Sequence, residues 1–245
     1  MRHLIKRAVL VGLLAVTVST AHAIPALQLG EGATGVWSYD NGTQTWVTNS
    51  STFSVIATAN SNTAGANGSY AWDTAGAVTR TAYFVLAGVP GTLVTDGFDV
   101  TVKNGGGALS IYDSGYGTPP IEDPNSIAGH GIYDSYFEIY QFNYDDGLTT
   151  ISNTQPGGTG DTGAGYIESF EITINSFDPA ISGIHMDLFT VIGDGILDLG
   201  SSDKKTVKAF APFSHDAEVT VPEPGTLALL GLGLLGMGLA RKRTK

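Results

Sequence analysis

Residues 166–174 read YIESFEITI. Successive side chains of a strand point to opposite faces, so Tyr166, Glu168, Phe170, Ile172 and Ile174 share one face and Ile167, Ser169, Glu171 and Thr173 the other. The first face is large and mostly apolar, the second mixed. This is the pattern of a strand half buried against a second layer. A little further on, GIHMDLFTVI at 183–192 is apolar on both faces apart from His185 and Asp187, as expected of an inner strand.

Working outward, period-2 runs bounded by turn residues predict strands at 35–39, 43–48, 52–58, 69–72, 78–86, 98–103, 108–112, 132–143, 166–175 and 184–192, with a last pair near 205–210 and 215–220. Gly, Pro, Asn and Asp concentrate at 59–68, 113–131 and 145–165, which read as long loops. The abundance of Thr, Ser, Val, Ile and Tyr and the lack of an amphipathic helix in the body place the chain in the all-β class. The expectation is a single, jelly-roll-like β-sandwich over residues 24–221, preceded by a signal peptide at 1–23 and followed by a tail at 222–245 that holds an apolar helix.

The sharpest local signal is GVWSYDNGTQTWVT at 35–48. Asn41-Gly42 is the favoured pair for a two-residue type I′ hairpin turn. That turn would set Asp40 against Thr43 and Trp37 against Trp46, on one face with Tyr39. Two indoles and a phenol on one face form either a platform for sugar rings or part of the core, since large aromatics dominate cores.

Charge is segregated along the 245 residues. The whole chain carries a formal −11, yet residues 24–221 hold 22 acidic against 5 basic residues, a formal −17. Such a body repels nucleic acid and anionic lipid and attracts cations. Cysteine is absent, which excludes disulfides, a thiol nucleophile and a thiolate metal site, so stability has to come from the core and hydrogen bonds.

The two ends read as processing signals. MRHLIKR, AVLVGLLAVTV and STAHA form a basic, an apolar and a small-residue region, with Ala21 and Ala23 in the Ala-x-Ala pattern that signal peptidase cuts after. At the other end stand Pro222, Glu223 and Pro224, an uncharged run at 225–240, and a basic cluster with Arg241, Lys242 and Arg243. A helix of that run reaches about 24 Å, short of a roughly 30 Å hydrocarbon core. It therefore suits a transient hold better than a permanent span, and the basic cluster keeps its end on the cytoplasmic side.

This tail resembles a PEP-CTERM sorting signal. The resemblance implies export in a Gram-negative bacterium that makes extracellular polysaccharide, recognition by exosortase, and processing beside 222–224; an ordinary single-span anchor is the alternative. In the body, IPALQLG at 24–30, HGIYDSYFEIYQFNY at 130–144, GIHMDLF at 183–189 and FAPFSHDAEV at 210–219 resemble the choice-of-anchor N proteins. That likeness implies an exported β-rich fold and carries no activity with it.

Chemistry-bearing constellations are sparse. Three histidines remain after signal removal, His130, His185 and His215, each near an acid. His185 and Asp187 share a strand face about 6.6 Å apart, and with His130 and His215 they form a weak candidate set for Zn²⁺ or Mn²⁺. Asp145, Asp146 and Asp161 in the 145–165 loop form a looser calcium candidate. SHD at 214–216 cannot form a triad, because neighbours on a strand face opposite ways. Asp134 and Glu138 share a face but stand about 13 Å apart along the strand, too far for a glycosidase pair. Two functional readings follow. One is a non-enzymatic, polysaccharide-associated surface or matrix protein without a cofactor, using Trp37, Tyr39, Trp46 and Trp72. The other is a metal-binding module or metal-dependent hydrolase using His130, His185 and His215.

Overall fold

The computed structural model describes residues 27–60, 81–89, 97–117, 119, 121–122, 135–145, 147–155, 161–191, 205–211 and 217–220. Among these residues there is no helix. The strands are β1 (Leu27–Glu31), β2 (Trp37–Asp40), β3 (Thr45–Thr48), β4 (Thr52–Asn60), β5 (Thr81–Val89), β6 (Phe98–Asn104), β7 (Gly107–Ala108) and β8 (Ile111–Gly117). They continue with β9 (Ile121–Glu122), β10 (Ser135–Asn143), β11 (Thr149–Ser152), β12 (Thr162–Phe177), β13 (Gly183–Val191), β14 (Lys205–Phe210) and β15 (Ala217–Thr220). The expected strand at 69–72 lies outside the described residues.

The strands form the two layers of a β-sandwich. The smaller sheet runs β1-β4-β12-β6-β7, with β11 also paired to β12; the larger runs β2-β3-β15-β13-β5-β10-β8, with β14 on β13 and β9 on β14. Pairing is antiparallel except for β3 with β15 and β9 with β14.

Residues 166–174 behave as their alternation predicts. Glu168, Phe170 and Ile172 are buried, while Ser169 and Glu171 are exposed. Phe53, Val55, Ala57 and Ala59 of β4 and Val100 and Val102 of β6 join Phe170 and Ile172 on the inner face. From the larger sheet come Phe84 and Leu86, Tyr140 and Phe142, and Ile184, Met186 and Leu188. Phe170 stacks on Phe84 across the layers at 5.7 Å between ring centres and meets Phe142 edge-on at 4.8 Å. A second cluster, including Tyr83, Val85, Phe137, Ile139 and Phe189, occupies the other face of the larger sheet. The middle strands of that sheet are therefore buried on both sides, which is why 183–192 shows no alternation.

The hairpin register departs from the expected one. Trp37 pairs with Thr48, Ser38 with Val47, Tyr39 with Trp46 and Asp40 with Thr45, so the loop has four residues instead of two. Asp40 redirects the chain: its Oδ1 accepts from the Gly42 backbone N–H at 2.7 Å, an Asx turn of the kind Asp favours. That bond is the main reason the Asp40 carboxyl sits below its ordinary range. Gln44 then takes the left-handed conformation, φ 59°. The shift is by two residues, so the faces are preserved while the partners change.

Strands also occur where loops are expected. β11 and the start of β12 lie within 145–165, and most of β8 lies within 113–131. Gly163, Ala164 and Gly165 read as turn residues, yet Gly165 is paired on both sides, to Asn60 and to Thr149. A Cβ there would stand 2.5 Å from the Ala59 carbonyl oxygen and 2.6 Å from the Ile151 side chain. Here glycine permits close approach, a reason invisible to a turn count. β1 is missed because its burial does not alternate; the buried Gln28 bonds Thr58 Oγ1 at 3.1 Å and accepts from the Thr154 N–H at 2.9 Å.

Removing the ring that joins the two layers should be costly. Phe170→Ala is expected to lower unfolding free energy by about 3–5 kcal/mol, read from chemical denaturation; a loss under about 1 kcal/mol would show that the inter-sheet stack is not central.

Candidate functional site

The hairpin aromatics are drawn inward. Trp46 is 9% exposed, and its indole N–H donates to the Thr154 carbonyl at 3.2 Å. Tyr39 meets Trp46 edge-on at 5.3 Å, and its hydroxyl accepts from Gln155 Nε2 at 3.1 Å. Trp37 lies edge-on to Phe53 at 5.4 Å. Trp37 and Tyr39 are half-buried, and the residues that hold Tyr39 and Trp46 come from the segment just after β11. Trp72 lies outside the described residues. The three aromatics are thus brought together, but most of their ring surface is engaged with the protein.

Aromatic surface open to solvent occurs instead on β8 and β10, where Tyr116 pairs directly with Tyr136. Tyr116 is 47% exposed and tilts against Tyr136 at 5.1 Å, while Tyr136 meets Phe98 edge-on at 4.9 Å. Gly97, left-handed at φ 62°, permits this contact: a Cβ there would stand 2.4 Å from the Tyr136 ring.

Behind the two tyrosines lies Glu138, 2% exposed. Its Oε1 accepts from the Tyr136 hydroxyl at 3.0 Å and its Oε2 from the Tyr140 hydroxyl at 2.6 Å. Burial holds the Glu138 carboxyl above its ordinary range against the opposing effect of those two bonds, and the Asp99 charge adds to the rise. Tyr136 is pushed up to about 12, first by burial and then by the Glu138 charge. Tyr140 is raised for the same leading reason. The result is an aromatic shelf backed by a carboxyl that two phenols keep in one orientation. In the sequence Glu138 stands out only as one of two carboxyls too far apart for a glycosidase pair, and Tyr116 is hidden because β8 lies partly in a Gly-rich stretch that reads as loop. The alternation of Tyr136, Glu138 and Tyr140 was the available signal.

His185 and Asp187 do share one face of β13, as expected, and both are buried. His185 pairs across the strands with Glu218, Nδ1 to Oε2 at 3.9 Å, and Asp187 Oδ1 accepts from the Leu188 N–H at 2.6 Å. His130 and His215 lie outside the described residues. Among the described residues no group of three or more His, Cys, Asp or Glu side chains is placed to hold a metal ion. Asp145 and Asp161 belong to the calcium candidate; the Asp145 backbone N–H is spent on Glu168 Oε1 at 3.1 Å, and Asp146 lies outside the described residues.

Ala21, Ala23, Pro222, Glu223, Pro224, Arg241, Lys242 and Arg243 also lie outside the described residues. No helix among the described residues is long and apolar enough to cross a membrane. Comparison with protein families finds the PEP-CTERM protein-sorting motif at residues 220–243. The likeness of the body to the choice-of-anchor N proteins finds no support there. Comparisons with curated proteins and with solved structures return no match. The chain is accordingly an exported protein sorted by exosortase through its C-terminal tail.

The Glu138 environment has a pH signature. A carboxyl raised in the folded state contributes stability that is fully present below its unfolded value and is lost as pH rises through the folded value. Glu138→Gln imitates the protonated group, so its urea midpoint should match the parent near pH 4 and exceed it progressively toward pH 7. Midpoints that stay parallel across that range would contradict a raised carboxyl.

Proposed function

We propose that this protein is a non-enzymatic component of the surface or extracellular matrix of a Gram-negative bacterium, associated there with extracellular polysaccharide. The sorting motif at 220–243 carries the reading. In it, signal peptidase removes residues 1–23, the segment 225–240 holds the membrane while exosortase acts, and the β-sandwich stays outside. A body with a formal charge of −17 does not suit nucleic acid or anionic lipid. Neutral sugar rings carry no charge to repel, and they stack on aromatic faces.

Within this reading the polysaccharide contact moves from the hairpin to the shelf. Tyr116 offers an exposed ring face, and Tyr136 and Ser114 stand beside it on the same sheet face. Trp46 is withdrawn into the core. Trp37 and Tyr39 keep a lesser, half-buried share of the contact.

Two measurements test the proposal. Intact mass of the protein recovered from the cell surface and culture fluid should end near Pro222–Pro224 only in a host with exosortase; a mass that retains Lys245 there would remove the matrix assignment. In pull-downs with the host's own polysaccharide, Tyr116→Ala should weaken retention about tenfold, the equivalent of about 1.4 kcal/mol. Equal retention would exclude the shelf as the contact.

A further inference from the structure

The sorting motif begins almost where the sheet ends. Thr220, the last residue of β15, pairs with Gly183 of β13, and its hydroxyl donates to the Thr48 carbonyl at 3.4 Å. β15 is an interior strand, held by β13 on one side and by β3 on the other. An extended chain spans at most about 3.6 Å per residue. Pro222 therefore lies no more than about 7 Å from Thr220, and Pro224 no more than about 14 Å, whatever path the chain takes.

An enzyme whose cleft takes residues 222–224 meets the folded body at this end. The end of the sandwich here has a distinct chemistry. A cavity of about 230 Å³ opens beside Thr220, floored in part by Ile174, Phe177 and Val219 and bordered by Asn49, Ser51 and Asn175. No ionisable residue is among its described lining, although the body carries 22 acids. Asn175 is held in place by bonds from its Nδ2 to Thr101 Oγ1 at 3.0 Å and to Asp99 Oδ1 at 3.3 Å. Apolar, uncharged and hydrogen-bonding groups around a recess are the make-up of an interface centre, from which charge is depleted.

We propose that this end of the sandwich, centred on the cavity beside Thr220, is a docking surface for exosortase during tail processing. The inference rests on the sorting reading and adds to it that the enzyme recognises the folded body together with the tail. Capture of the motif fixes the surface at the enzyme at an effective concentration in the millimolar range, so a patch with little affinity of its own still adds to binding. The pairing of Thr220 ties the first residue of the motif to this end of the sheet.

The test follows tail loss over time by intact mass of the full chain in an exosortase-containing host. Asn49→Asp together with Ser51→Asp places two charges at exposed positions on the cavity mouth. This variant should shed its tail on the order of tenfold more slowly than the parent, with an unchanged melting temperature. Twelve Gly/Ser residues inserted between Thr220 and Val221 should slow shedding comparably by uncoupling motif from surface, and adding the acid pair to that chain should cost nothing more. Equal rates for parent and acid variant, or faster shedding after the insertion, would overturn the surface while leaving sorting intact. A parent that keeps its tail would overturn the sorting reading and the surface with it.

Discussion

The contact on which this structure depends is the stacking of Phe170 on Phe84 across the two sheets. The smaller sheet is organised around β12, whose sixteen residues pair with β4 along one side and with β11 and then β6 along the other. The larger sheet is organised around β5 and β13, which are buried on both faces. Phe170 is where these two organising elements meet. A chain without cysteine has no covalent staple to substitute for that meeting, so burial between the sheets has to supply the cohesion.

Three polar side chains in this interior have clear partners. Gln28 bridges β4 and the segment after β11, Glu138 is held by two tyrosine hydroxyls, and Glu168 accepts a backbone N–H. Gln28 and Glu168 join separate segments and so fix how one part of the sandwich sits on another, whereas the Glu138 bonds stay within β10 and order that strand's own face. The Glu138 arrangement differs from the other two in position. It fixes the ring of Tyr136, against which the exposed Tyr116 packs.

The two ends of the functional logic are physically separate. Tyr116 belongs to the edge strand of the larger sheet, whereas the chain leaves toward its sorting motif from an interior strand on the other side of β13. The proposed ligand shelf and the end of the sandwich from which the chain leaves therefore lie on different strands of that sheet.

By itself the sequence determined the class, the layers and the destination. Alternation at 166–174 and its absence at 183–192 follow from one-sided and two-sided burial, which are local consequences of the pleat. The tail is legible because its chemistry lies in a contiguous run and requires no fold to express it. Tertiary structure decided the rest. The Trp37 and Trp46 register turned on whether Asn41-Gly42 or the Asp40 carboxylate would control the turn, a competition between two acceptable local solutions. The inward pull on Trp46 came from Thr154, more than a hundred residues away. Gly165 as a strand residue, the packing of Tyr116 and Phe98 on Tyr136 and the cavity beside Thr220 all arise from approaches between separate segments, which no spacing within a single stretch records.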